Sequence, residues 1–422
     1  MAGRGEIGLA FIPVHGTGLS LKRRFFFLMA LGLPAWLSSQ GAEADRVRGK
    51  LMWDPFYLEL PPRTKAPWDR WLAEGVRLRQ HEIEVFEFEL AKSGRRHAAR
   101  AKGAAGFEVP EKPAAWFAGA EAGEIADNLL TWQSPSGGWT KNTAMTRRPR
   151  IAGQRWSPWG DWGYVATIDN KATTSQIEFL ARIATATGKE AYAAGAERGL
   201  RYLLAAQMPG GGWPQVFPLQ GTYHDMITFN DDAMVRVLEQ LRNIKNRKTP
   251  WQFISVELRT EIEVAAQRGI DCILHCQIRV KGTLTAWCAQ HHPVSLAPVG
   301  ARAYELASLS GGETVGILKL LMSLGSPGPE VKRAVEAGIA WLRRSTVEAA
   351  ALGKKGTGGP QWARFYEIDT NRPLFSDMDG AKRFSFSEVK VKRNSYAWFT
   401  DAPADLLNRD YPAWLRRHAI RK

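Results

Sequence analysis

From residue 113 onward, apolar residues recur at helical spacing in one segment after another. In 171–187, Ile177, Leu180, Ala181 and Ala184 fall at i, i+3, i+4 and i+7. Gly188 follows them, where a left-handed cap would stop a helix. The segment 190–207 follows closely, which predicts an antiparallel helical hairpin. In 231–246, Met234, Val237, Leu238 and Leu241 share one face. Segments 113–132, 255–276, 312–323 and 329–348 complete the predicted set, the last with Pro329 near its first turn. Strand signals are sparse: 277–280 and 284–288 flank Lys281-Gly282 in a hairpin pattern. The stretch 357–400 reads as irregular, polar and rich in aromatics. The pattern predicts an all-α fold with a few short strands and long irregular coils.

Ahead of this region the pattern changes twice. Residues 68–93 are charged and read as a helix, although EIEVFEFEL also alternates like a strand. Residues 94–112, rich in small and basic residues, read as a linker. At the N-terminus, Lys22, Arg23 and Arg24 precede an apolar run over 25–37, and Ala42-Glu43-Ala44 has the small-x-small form of a cleavage site. That run is too short to span a bilayer. It predicts a signal peptide over 1–44 and a secreted or periplasmic protein. The organisation expected is therefore 1–44 signal, 45–112 extension and linker of open role, and 113–422 the main helical domain.

An internal repeat changes the picture of the helices. Gln133-Ser-Pro-Ser-Gly137-Gly-Trp139 returns as Gln207-Met-Pro-Gly-Gly211-Gly-Trp213. Both follow a predicted helix, as expected of a toroid of hairpin units. The motif reads first as architecture, with Trp139 also a candidate to line a cleft.

Charge narrows the partners. The chain carries a formal net charge of +15, which favours polyanions such as acidic polysaccharide, anionic lipid or nucleic acid. No zinc-finger spacing, Walker loop or basic recognition helix is present to support nucleic acid. Cys272, Cys276 and Cys288 are an odd number. Cys272 and Cys276, four apart on a predicted helix, are poorly placed to pair with each other. Buried thiols, or one disulfide from either of them to Cys288, are the expectation.

Two acid-bearing loops, TIDN (167–170) and FNDD (229–232), lead straight into predicted helices. Their Asp169, Asn170, Asn230, Asp231 and Asp232 are natural N-caps. They are also hard oxygen donors of the kind calcium takes. Spacing leaves both roles open, with one residue of each loop expected to cap. Further on, Arg302, Tyr304 and Glu305 lie close together, as do Arg364, Tyr366, Glu367, Asn371 and Arg372. Guanidinium forks match carboxylates and stack on aromatic faces, which suits an acidic sugar chain. Arg302 with Glu305 also fits a plain ion pair. Lys141-Asn142, after SGGWT, reads as another contact or as a solvated loop.

At this point the chain resembles a family. SGGWTKN, ATIDNKATTSQIEFLARI, LLAAQMPGGGWPQVFPLQGTYHDMITFNDDAMVRVLE, CQIRVKGTLTAWCAQHH, ARAYELASLSGGETVGI and WARFYEIDTNRPLFS together are similar to the pectate lyases of polysaccharide lyase family ten. The resemblance runs in order from about residue 113 to 398. It implies an incomplete (α/α) toroid with an open groove. It also implies calcium-dependent β-elimination of polygalacturonate by a monomer. Carried over by motif, Asp169 and Asn170 together with the acidic residues of FNDD would serve calcium and the cleavage subsite. Arg302 would be the proton-abstracting base, and Arg364 and Arg372 would help bind uronate carboxylates. Lys141, Asn142, Tyr304 and Asn371 join the expected substrate contacts.

Two departures stand out. Met378 in SDMDG takes the place of an expected basic residue, with Lys382 or Arg383 as replacements. Asp225 in GTYHDM is acidic where a basic or neutral residue is usual. Two other readings compete. A terpene-cyclase-like toroid is one, but it needs DxDD or DDxxD, and neither string occurs. A non-catalytic acidic-glycan-binding protein of the same fold is the other.

Overall fold

The computed structural model describes residues 54–159, 165–246, 249–348 and 360–418. The segment 1–44 expected to be a signal lies outside them. Among the described residues, no helix is long and apolar enough to cross a membrane.

The chain is mostly helical, with strands of only two residues each. Helix α1 spans Pro62–Lys92, α2 Ala120–Trp132, α3 Thr174–Thr187 and α4 Glu190–Ala206. Helix α5 spans Ala233–Lys245, α6 Val256–Cys276, α7 Glu313–Met322 and α8 Pro329–Arg344. EIEVFEFEL thus lies within α1. A charged 31-residue helix whose Trp68, Trp71, Leu78, Ile83 and Phe86 are buried overrides the local alternation. The hairpin around Lys281-Gly282 is shorter than its sequence signal, pairing Arg279–Val280 with Thr283–Leu284.

Helices α3 and α4 pack against each other, as do α5 and α6. Gly188 ends α3 in the left-handed conformation, its amide on the Ala184 carbonyl. Between the hairpins the tryptophan motif forms the same joint each time. Gln133 donates to the carbonyls of Gly137 at 2.7 Å and Gly195 at 2.9 Å, and the Trp139 indole donates to Leu129 at 2.8 Å. Gln207 does the same to Gly211 and Ala265, both at 2.9 Å, and Trp213 reaches Leu203 at 2.7 Å. At Gly137 and Gly211, φ is 102° and 90°, where a side chain would be strained and would strike the carbonyl of Arg198 or Arg268. Trp139 is completely buried, so it lines no cleft.

A third copy was hidden in the sequence. Gln277 donates to Thr285 and Ala334, each at 3.0 Å, and Trp287 donates to Ile273 at 2.8 Å. The two-residue strands inserted between Gln277 and Trp287 stretch the spacing beyond Q-x-x-x-G-x-W. Trp362 completes the series by donating to Leu342 near the end of α8 at 2.8 Å.

The three cysteines are buried free thiols, with Cys272 and Cys276 sulfurs 4.0 Å apart. The disulfide alternative to Cys288 is therefore not realised. Burial raises the Cys276 and Cys288 thiols above their ordinary pKa, so they stay protonated and inert.

Candidate active site

Each tryptophan joint also fixes the loop that follows it. The Thr167 amide donates to the Trp139 carbonyl at 3.0 Å, Thr228 to Trp213 at 3.0 Å, and Ser310 to Trp287 at 2.7 Å. TIDN, FNDD and the segment 310–313 therefore leave equivalent joints in three successive repeats, each at the mouth of the next helix. The Thr173 hydroxyl reinforces the first, accepting from the Trp139 amide at 3.0 Å and donating to the Thr167 carbonyl at 2.8 Å. In the third, Glu313 is the acidic residue. Its weak local sequence signal, SGGE, hid it.

Contrary to the capping expectation, neither acidic loop caps its helix with a side chain. Asn170, Asp231 and Asp232 have φ of 50°, 51° and 60°. That left-handed turn points their side chains away from the helix-start amides, leaving the carboxylates for other work. The two turns touch each other.

Around them the sequence-distant arginines converge. Arg364 is 15% exposed and donates through Nη2 to Glu313 at 2.7 Å, Asn230 at 3.2 Å and Asp231 at 3.3 Å. Burial works against its charge, but Glu313, Tyr396 and Asp231 outweigh it and hold the guanidinium firmly protonated. Tyr396 lies between Arg364, 4.9 Å from its ring, and Arg302, 5.7 Å from it. Its hydroxyl donates to Glu305 at 2.8 Å. Sequence reading missed Tyr396, since it sits in an irregular stretch with no motif around it.

Arg302 stacks on Tyr304 at 4.9 Å and grips buried Glu305 with Nε at 2.8 Å and with Nη2. The fork raises the Arg302 pKa beyond its already high ordinary value. Burial pushes the Glu305 pKa up, but Arg302 and the Tyr396 hydroxyl pull it below the usual carboxylate range. On the other side, Lys141 is paired with buried Asp169. His224 lies close enough to feel Lys141, Asp169, Arg302 and Glu305. Burial, then Lys141, lowers its pKa to about 4, so it is neutral across the physiological range.

Not every expected contact joins this group. Asn371 spends its amide on the fold, accepting from Trp341 at 2.7 Å and donating to Ser345 at 2.9 Å. Both ends of its amide are thus engaged by the fold, which the reading as a substrate contact did not foresee. Arg372 is exposed and lies 3.9 Å over the Phe384 ring. Asn142, at φ 51°, lies beside the Lys141–Asp169 pair. Lys382 pairs with Glu367 at 3.2 Å and Arg383 with Asp379 at 2.6 Å. Asp225 is a buried loop clip, accepting from the Gln220 amide at 2.8 Å and the Gly221 amide at 2.6 Å.

Asp232 shows how tightly the site is built. Burial, then the charges of Glu313, Glu239 and Asp231 against the relief of Arg236, raise its pKa to about 6. A Cβ on Gly316 would lie 1.9 Å from its Oδ1. Gly316→Ala is therefore expected to push the FNDD turn aside and cut kcat/KM by about 10²-fold, the scale of a 1 Å misplacement. Steady-state kinetics beside a thermal melt checks this, since a helix alanine costs no stability of its own.

A family model for pectic acid lyases matches residues 133–407, well over half the chain. The chain belongs to the pectic acid lyase family. A family 10 polysaccharide lyase from Cellvibrio cellulosa is similar at 32% identity and a TM-score of 0.63, over 74% of this chain and all of that one. An aspartate-to-alanine mutant of the family 10 lyase from that organism, in complex with trigalacturonic acid, is similar at 33% identity and a TM-score of 0.62. That match covers 71% of this chain and 97% of the other. No curated protein matches. As a pectate lyase, this chain is an enzyme rather than a non-catalytic glycan binder.

Proposed function

We propose that this pectate lyase cleaves polygalacturonate by calcium-dependent β-elimination, with Arg302 taking the C5 proton. The observation that carries the reading is the convergence of the TIDN and FNDD turns with Arg302 and Arg364 around Tyr396. Among the described residues, no group of three His, Cys, Asp or Glu is gathered for a metal. The donors are instead a sparse set of hard oxygens: Asp169, Asn170, Asn230, Asp231 and Asp232. The crowding that raises Asp232 is the kind a divalent cation relieves. Such a set fits calcium with a shell completed by a substrate carboxylate. Bound there, calcium would neutralise the uronate carboxylate and stabilise the negative charge that develops on elimination.

The protein's own groups do the rest. Lys141 and Asn142 hold a uronate beside Asp169, and Arg372 offers a further carboxylate contact. Tyr304 and Tyr396 hold the two arginines in register. Glu305 binds Nε and Nη2 of Arg302 and fixes the plane of the guanidinium. That fork favours the charged form, which has no lone pair, so Arg302 must first release a proton to solvent and then takes the C5 proton from its neutral form, returning to the guanidinium. The incomplete toroid and an exported, monomeric protein belong to the same reading.

The test is the ultraviolet absorbance of unsaturated product from polygalacturonate, with and without calcium. Activity is expected to vanish after exhaustive chelation and return with added calcium. The melting temperature should barely move, since a substrate-completed site does not support the core. Full activity in chelated protein would sink the calcium assignment.

A further inference from the structure

The family match begins at residue 133, and 71–74% of this chain spans nearly all of each Cellvibrio lyase. The stretch before α2 lies outside the family match. Its last part, 99–111, is an extended strap laid on the loops of the active site. The Ala104 amide donates to the Asn142 carbonyl at 3.0 Å, and Ala144 donates back to Lys102 at 2.9 Å. A Cβ on Gly106 would lie 3.4 Å from the Asn170 carbonyl and 3.6 Å from Asn142 Oδ1. The Phe107 ring anchors the strap edge-on against Phe179 at 5.3 Å.

Next in the strap comes Glu108. Its carboxylate holds Lys171 Nζ at 2.5 Å, and Lys171 directly follows Asp169-Asn170 in the turn. The field of Arg236, one helical turn after Asp232, also reaches Glu108. A cavity of about 930 Å³ opens here, walled by Glu108, Lys171, Arg182, Arg236 and Glu239 among others. It adjoins both acidic turns, through Lys171 on one side and Arg236 on the other.

We infer that Glu108 is a specificity-determining residue that stands in for a uronate carboxylate at Lys171 and Arg236, and so biases the enzyme toward short galacturonate chains. A long polyanion entering the cavity must displace Glu108 to reach these cations. Both partners are substantially exposed, 34% for Lys171 and 66% for Glu108, so the pair is weak enough to be displaced. A trimer confined to the catalytic turns never meets it. The inference rests on the polygalacturonate reading above, and wild-type activity is the control that separates the two.

The experiment compares KM for long polygalacturonate and for trigalacturonate in wild type and Glu108→Gln, an exposed isosteric change that spares the fold. Given an active wild type, KM for the polymer is expected to fall by about two- to five-fold, the worth of an exposed ion pair. KM for the trimer and both kcat values should stay put. In a Lys171→Ala background the same change should have at most a residual effect, from Arg236. Unchanged KM for the polymer, an equal shift for both substrates, or an effect that persists in full without Lys171 would overturn the inference. An inactive wild type would instead overturn the polygalacturonate reading itself.

Discussion

Arg302→Lys is expected to lose activity almost as badly as Arg302→Ala, by about 10²–10⁴-fold in kcat. Lysine keeps the positive charge but loses the planar fork that meets both Glu305 oxygens, Oε2 through Nε at 2.8 Å and Oε1 through Nη2. The reacting nitrogen would then have neither its plane nor its proton affinity. Binding of polygalacturonate should persist by calorimetry, since Lys141 and Arg372 remain. The rival role for Arg302 is a brace for the 301–305 loop, and the structure makes that role separable. Without Arg302, Glu305 still accepts from the Tyr396 hydroxyl at 2.8 Å and from the residue 302 amide at 3.2 Å. The loop keeps these inner contacts and stays folded, but buried Glu305 loses its cation, so Arg302→Ala should lower the melt and Arg302→Lys should lower it less. A lysine variant with near-normal kcat, or an alanine variant that unfolds, would remove Arg302 from the reaction.

The helices and the two acidic turns were legible because periodicity and short motifs are local properties. Gly188 ended α3 where the pattern placed it, and the first two tryptophan joints followed directly from their spacing. The third joint was not legible, because an inserted hairpin separates Gln277 from Trp287. Losing that joint concealed Glu313, which lies in the place occupied by the acidic turns of the first two. The capping expectation failed because a side chain cannot satisfy the helix-start amides from a left-handed residue, which is where Asp232 sits. Asn371 looked like a polar contact in a motif, yet tertiary packing placed both ends of its amide on Trp341 and Ser345. Tyr396 is 91 residues from the glutamate it binds, a distance across which no local pattern carries information. The strap over 99–111 read as a linker because its contacts are isolated bridges rather than elements.

Arg364→Ala is expected to damage both stability and catalysis, whereas Arg372→Ala should do little more than raise KM. Sequence alone gave the two arginines the same task, a ground-state hold on a carboxylate. Their surroundings divide them. Arg372 is exposed, stacks on Phe384, and its loss should leave kcat near wild type. Arg364 is buried against Glu313, which is only 4% exposed as a side chain. Removing one partner of such a pair strands the other charge and costs about 3–5 kcal/mol. The same nitrogen also positions Asn230 and Asp231, so the FNDD turn should loosen and kcat fall with it. Adding Glu313→Gln to Arg364→Ala removes the stranded charge and should restore much of the melting temperature. It should not restore kcat, because the guanidinium that held the Asn230 and Asp231 side chains is still missing. Thermal melts and steady-state kinetics on the single and double variants decide the matter. If Arg364→Ala melts like wild type and changes KM alone, Arg364 is a substrate clamp like Arg372, and the cluster does not depend on it.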